Sequence, residues 1–194
     1  MGFDQRALRD CLGQFASGVT VVTTGDGRTV RGATVSSFTS VSLDPPLVLV
    51  SLDRRSRSAE RLTGARFGVN VLAADQGELA LLFAGRGGSA DEAHGHPAHP
   101  GVRWEGDPAA PRLAGAVAHF DCAPWAAYDG GDHVLHVGEI RSFTAPGGAP
   151  LVFHSGVLGG FGRPLAPAAW PGSLDDPAHG WVPDFGALTG APTT

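Results

Sequence analysis

The chain contains no lysine: all fourteen of its basic residues are arginine. That absence removes the Walker-type phosphate loop, the pyridoxal Schiff base and every other mechanism that rests on an ε-amine. Cysteine is almost as scarce. Cys11 and Cys122 are the only two, too few for a disulfide framework, and neither has the near Cys or His neighbour of a thiolate metal site, so both are expected to be buried small hydrophobes. The net charge of −5 lacks the basic excess that neutralising DNA or RNA phosphates requires, which excludes nucleic acid as a partner. No stretch approaches the roughly 18 apolar residues of a membrane span, and Asp4, Arg6, Arg9 and Asp10 interrupt the region where a signal peptide would be apolar. A cytoplasmic protein with no membrane partner is expected. There is no Gly-x-Ser-x-Gly elbow for a catalytic triad. Gly160-x-Gly162 is followed by Pro164 and Pro167 rather than by an apolar helix, so it is not a dinucleotide fingerprint.

What remains is a folding chain of ordinary size. Its 194 residues are 42% hydrophobic, enough for one core, and Gly (29) with Pro (15) stay below the roughly 25–30% that signals low-complexity disorder. Ala7, Leu8, Cys11, Leu12 and Phe15 fall on one side of a helix over 4–15. After Gly18 the pattern turns β-branched. Strands are expected at Val19–Thr24, Ala33–Leu43 and Leu47–Leu52, divided by turns at Gly25-Asp26-Gly27 and Asp44-Pro45-Pro46. Ser56–Thr63 is helical in pattern and Phe67–Leu72 is a further strand. Asp75 with Glu78 three residues on suggests a capping box before a helix carrying Leu79, Leu82 and Phe83. Residues 85–112 look like a long loop. Strands follow at Ala116–Cys122 and His133–Phe143, with a short one at Leu151–Phe153. So many strands without alternating crossover helices predict a mainly β fold, an antiparallel barrel with a few short helices. The domain is expected over 1–162. Residues 163–194, Pro/Gly-rich with isolated Trp170, Trp181 and Phe185, form a tail that either wraps a surface or is disordered.

Two stretches carry the chemistry. Thr34, Ser36, Ser37, Thr39, Ser40 and Ser42 crowd hydroxyls onto strand-like sequence; such groups either face water or donate to a bound polar ligand. The strand Leu47–Leu52 then runs into Asp53-Arg54-Arg55-Ser56-Arg57-Ser58 at a helix start, where free N–H groups, hydroxyls and guanidinium groups suit a phosphate. Ser56 as a plain N-cap amid surface arginines is the alternative. Gly131-Asp132-His133 reads by itself as a hairpin turn entering a strand. His94-x-His96-x-x-His99 has a spacing that fits a metal but lies in flexible sequence, where a solvated loop is the better reading. His119, His136, His154 and His179 stand alone. Trp125 and Tyr128 either wall a cleft or close the barrel's end.

Over residues 10–162 the chain resembles the short-chain NAD(P)H-dependent flavin reductases that serve two-component flavin monooxygenases. The resemblance rests on Phe15-Ala16-Ser17-Gly18-Val19-Thr20-Val21-Val22-Thr23-Thr24, the Thr34–Leu52 block, Phe67-Gly68-Val69-Asn70-Val71-Leu72, Leu79-Ala80-x-x-Phe83-Ala84, Gly131-Asp132-His133 with Val137-Gly138, and Pro150-Leu151-Val152-Phe153. It implies an FMN-binding split β-barrel of Greek-key antiparallel form and a homodimer. It also implies hydride transfer from NADH or NADPH to FMN or FAD, with reduced flavin diffusing to a partner monooxygenase. Carried over by position, Thr34, Val35, Ser36, Ser37 and Ser40 would line the flavin ring and ribityl chain. Ser51, Arg54, Ser56, Arg57 and Ser58 would hold the phosphate end, Asp53 would be a further cofactor-binding residue, and Gly131, Asp132 and His133 would receive the nicotinamide, His133 by direct contact. Hydride transfer between two stacked rings needs no nucleophile, which agrees with the missing triad. A flavin-binding electron carrier or sensor on the same barrel is the alternative; a pyridoxamine-phosphate-type oxidase would leave Gly131-Asp132-His133 unexplained.

Overall fold

The computed structural model describes residues 3–25, 29–86 and 102–162. The expected 26–27 part of the first turn, the His94–His99 spacing and the 163–194 tail lie outside the described residues.

The chain opens with α1 (Gln5–Leu12), whose first N–H groups are capped by Asp4, the Oδ1 accepting from Arg6 and Ala7. Strands β1 (Ser17–Gly18), β2 (Thr20–Gly25), β3 (Val30–Val35), β4 (Thr39–Leu43) and β5 (Pro46–Asp53) follow, then α2 (Arg57–Leu62), β6 (Phe67–Val71) and α3 (Gly77–Phe83). The remainder is β7 (Trp104–Glu105), β8 (Arg112–Leu113), β9 (Ala118–Gly130), β10 (His133–Thr144), β11 (Leu151–His154) and β12 (Val157–Gly160). Seven strands form one antiparallel sheet in the order β3-β2-β6-β9-β10-β5-β4, so the mainly β, antiparallel expectation holds. The sheet curls until β3 approaches β5. Ser37 bridges there, its Oγ accepting from the Ser51 N–H at 2.9 Å and donating to the Ser51 carbonyl at 3.0 Å.

One core fills the barrel and another lies outside it. Val22, Val48, Val50, Leu52, Phe67, Val69 and Cys122 pack within, closed by Ala59 and Leu62 of α2. Val19, Val21, Leu72, Leu151 and Leu113 meet Ala80, Leu82 and Phe83 of α3 in the second. Because β2 serves both cores, Thr20–Thr24 is buried on both faces, and the sequence there is a β-branched run rather than an alternation.

Several expectations are corrected. The Ala33–Leu43 strand is two strands: β3 pairs with β2 and β4 with β5, so the chain leaves one sheet edge for the other through Ser36–Phe38. The capping box at Asp75 does not form. Gln76 holds the N-cap position without a cap bond; its Oε1 accepts from the Ala73 N–H and its Nε2 donates to the Ala114 carbonyl. The long loop contains β7 and β8. The Ala116–Cys122 strand continues to Gly130 despite Pro124, because β10 shifts register so that Ala126 and Pro124 face consecutive residues and Trp125 bulges out between them; a bulge is where a strand tolerates proline. β12 adds a hairpin through Ser155 (φ 47°) and Gly156 (φ 82°), the pair of left-handed residues a type I′ turn demands. Cys122 is buried, as expected, and burial pushes its thiol up to about 12. Cys11 is exposed, because α1 has no residue buried among the described ones.

Candidate functional site

Where β3 ends and β5 runs into α2, a cleft of about 460 Å³ brings together Thr34, Val35, Ser36, Ser37, Ser51, Asp53, Ser56 and His133, with Phe83 and Ala84 of the α3 end. These residues come from four separate stretches. His133 reaches the cleft because β10 pairs with β5 in a register that sets it opposite Asp53. A second cleft of about 270 Å³ shares Thr34, Val35, Ser36 and Ala84 and adds Arg86, Phe153 and Leu158. Phe83, Arg86, Phe153 and Leu158 were missed as site residues. Phe83 carried a signal, but its spacing reads equally as the apolar face of a helix.

The hydroxyls differ in what they leave available. Thr34 donates to the Ala80 carbonyl at 2.7 Å, tying β3 to α3, and Ser37 is occupied with the Ser51 backbone. Ser56 is the N-cap of α2, accepting from the Ala59 N–H at 3.1 Å, so the plain-cap reading of that residue is realised whatever else it holds. Ser36 is exposed at the junction of the two clefts. Ser40 lies on β4 opposite Val48, outside the residues that line either cleft.

The arginine run divides into three roles. Arg55 closes on Asp53: Asp53 Oδ1 accepts from the Arg55 backbone N–H at 2.8 Å and its Oδ2 from the guanidinium at 2.8 Å, which holds the Asp53 carboxyl well below its usual range. Arg54, expected at the phosphate end, instead turns its guanidinium to the β9–β10 hairpin. Arg57 is exposed at the first turn of α2 and forms no ion pair among the described residues. Beside it, Ser58 is half-buried.

Gly131 and Asp132 form the two-residue turn between β9 and β10, with Gly131 at φ 80°, the positive angle a hairpin turn opening on glycine requires. The Asp132 carboxylate lies 2.6 Å from His133 Nδ1, and that hydrogen bond lowers its pKa. An ionised carboxylate only accepts, so Nδ1 carries the proton and Nε2 is the ring atom left for a ligand.

His119 and His136 are buried, each with an Nε2 that has no partner among the described residues, and neither lines the cleft with His133. Trp125 and Tyr128 are half-exposed on the β9 arm and line neither cleft. Among the described residues no group of His, Cys, Asp and Glu side chains is arranged to hold a metal, and no helix is long and apolar enough to cross a membrane.

Comparison with known proteins gives one answer. Residues 12–162 match the family described as the flavin reductase like domain. An FMN reductase (NADH) of Agrobacterium fabrum is 40% identical over 164 residues, covering 84% of this chain and 89% of that one. The reductase component of a 4-nitrophenol 4-monooxygenase/4-nitrocatechol 2-monooxygenase of Rhodococcus opacus is 36% identical over 170 residues, covering 86% of each. Among solved structures, the Streptomyces globisporus NADH:FAD oxidoreductase in complex with NAD and FAD fragments superposes with a TM-score of 0.71 at 41% identity, covering 86% of this chain and 95% of that one.

Proposed function

The chain belongs to the flavin reductase like family, and from that premise we propose that it is an NADH-dependent flavin reductase, taking FMN or FAD as substrate and supplying reduced flavin to a monooxygenase. The observation that carries this reading is the convergence in one cleft of Ser36, Ser51, Ser56 and His133. The residues present fit a flavin in kind: apolar Ala33, Val35, Leu52 and Phe83 for a ring, hydroxyls for a polyol, and Arg57 with Ser58 at the mouth of α2 for a phosphate.

The flavin supplies the ring that accepts hydride and the nicotinamide supplies the donor, so the protein's part is binding and orientation. Val35 and Phe83 present apolar surface and keep water from that wall. Ser36 and Ser51 offer hydroxyls that direct a polar edge. Asp132 fixes the His133 tautomer, and His133 Nε2 positions the nicotinamide side. The described residues that line this site all lie within the split-barrel domain proposed for 1–162. The reading includes a homodimer in the cytoplasm: Leu12 and Phe15 of the α1 segment and Leu43 of β4 are exposed to 66%, 82% and 81% in the single chain, large apolar side chains of the kind a second copy would cover.

The test mixes the purified chain with NADH and free FMN and follows loss of the reduced-nicotinamide absorbance. Flavin-dependent turnover is expected, and His133→Ala should raise the NADH KM or slow turnover while leaving flavin binding within about two-fold of the parent, since Nε2 serves one substrate only. Tight flavin binding without turnover would overturn the enzyme reading in favour of a carrier.

A further inference from the structure

The ladder between β5 and β10 ends at the pair Asp53–His133. Immediately past it, the backbone N–H of Arg54 donates to the Asp132 carbonyl at 3.0 Å. Its guanidinium donates from Nε to the Gly131 carbonyl at 3.1 Å, and from Nη2 to Asp129 Oδ1 at 2.9 Å and to the His133 carbonyl at 3.4 Å. The same Asp129 oxygen accepts from the Gly131 N–H at 2.8 Å. One planar fork of donors therefore engages three residues of the turn and, through Asp129, a fourth contact within it.

Strand pairing cannot do this alone. It fixes the backbone of His133 opposite Asp53, but the turn beyond is hinged on Gly131, whose positive φ only glycine adopts cheaply, and the His133 ring is oriented by Asp132 within that turn. We propose that Arg54 is a positioning residue for the nicotinamide nucleotide: it locks the Asp129–His133 turn, and with it the His133 imidazole, against the β5–α2 junction that forms the flavin side of the cleft. The assignment rests on the reading of His133 as the nicotinamide contact. It also explains why an arginine in the phosphate-facing run is turned away from that end. Stability does not require the contact, since the Arg54 and Asp129 side chains are 48% and 79% exposed and an exposed ion pair contributes little.

Arg54→Ala, Arg54→Lys, His133→Ala and the double variant, all in the full chain, separate this role from a phosphate-binding one. Titrations with NAD+ and NADH, quenching of riboflavin and FMN fluorescence, steady-state KM values for each substrate and hydrogen exchange of the 130–133 amides supply the readouts. Arg54→Ala should weaken NAD+ binding and raise the NADH KM by about ten-fold, the scale on which loss of orientation is felt, with faster exchange in the turn. Affinities for FMN and riboflavin should stay within about two-fold, because no contact made by Arg54 faces the α2 end. Arg54→Lys, which keeps the charge but not the fork, should recover part of the loss. The double variant should be no worse than His133→Ala, since both act on one interaction. Unchanged NAD+ binding and NADH KM would overturn the proposal, and so would a loss of FMN affinity that spares riboflavin, which returns Arg54 to the phosphate. If Arg54→Ala fails to fold, Asp129→Asn carries the same expectation at smaller size. A parent chain that neither binds FMN nor oxidises NADH refutes the reductase reading itself, whereas an active parent indifferent to Arg54→Ala refutes only the positioning role.

Discussion

Replacing Gly32 with alanine probes how the cleft wall depends on the packing behind it. A Cβ at position 32 would stand 2.7 and 2.8 Å from Cδ1 and Cε1 of Phe83 and 3.1 Å from Cγ1 of Val21. Carbon atoms pack at about 3.5–4.0 Å, so the ring has to retreat by roughly 0.7 Å or more. It has little room, being 5% exposed and packed on Trp104 with ring centroids 5.8 Å apart. Overfilling a packed core costs about 1–3 kcal/mol, which in a domain of this size lowers the melting temperature by roughly 2–4 °C per kcal/mol, or about 2–12 °C in all. The sign makes the test sharp, because glycine inside a strand is otherwise less stable than alanine by about 0.5–1 kcal/mol. Without the clash the variant would be more stable than the parent. Since Phe83 also lines the cleft, riboflavin affinity should fall with stability, and Phe83→Leu added to Gly32→Ala should restore part of both, giving a double variant less damaged than the two single effects together. Thermal melts and riboflavin fluorescence quenching measure these. A Gly32→Ala melt at or above that of the parent, or strict additivity with Phe83→Leu, would refute the argument.

Arg57→Ala combined with Ser58→Ala should weaken FMN by about ten-fold or more, the worth of a charge-assisted hydrogen bond to phosphate, and leave riboflavin nearly unchanged; equal weakening of the two in a fluorescence titration would remove the phosphate from this end of α2. Acid stability follows from two buried imidazoles. Burial lowers the pKa of His119 and of His136 from 6.5, so below that pH the unfolded chain binds more protons than the folded one. The stabilisation is complete above about pH 6.5 and is lost as pH falls, by at most about 1.4 kcal/mol per pH unit for each ring. Asp53 and Asp132, whose pKa values are lowered from 3.8, contribute only to losses at more acidic pH. The urea midpoint should therefore drop between pH 7.5 and 5.5, and His136→Leu should flatten that slope; a midpoint that is level, or equally steep in the variant, would contradict it.

Sequence reading located the strands wherever β-branched runs were bounded by turn residues, because that pattern is set by neighbours along the chain. It joined β3 to β4 since Ala33–Leu43 contains no breaker. The division there is made by pairing, β3 with β2 and β4 with β5, and only the partners reveal it. The strand expected to stop at Cys122 runs on through Pro124 to Gly130. A proline argues against a central strand unless a bulge removes the need for its N–H, and the bulge at Trp125 exists only in relation to the register of β10. The short hairpin to β12 was hidden in glycines, which announce a turn but not the strand beyond it.

The site was legible in residue type and not in partnership. Dense hydroxyls and arginines mark a polar wall whatever they touch, and five members of that set do meet His133 in one cleft: Thr34, Ser36, Ser37, Ser51 and Ser56. Assigning the arginines is a different problem. Arg55 finds Asp53 two residues away, a pairing that local sequence offers, but Arg54 finds Asp129 at a separation of 75 residues, and nothing near position 54 announces it. Arg54 and Arg55 are the two central residues of the turn that follows β5, closed by the Ser56 N–H on the Asp53 carbonyl at 2.9 Å. From that turn Arg54 reaches the hairpin and Arg55 folds back on Asp53. The division of labour among Arg54, Arg55 and Arg57 thus follows from β5 ending at Asp53, which leaves the first two in the turn and the third on α2.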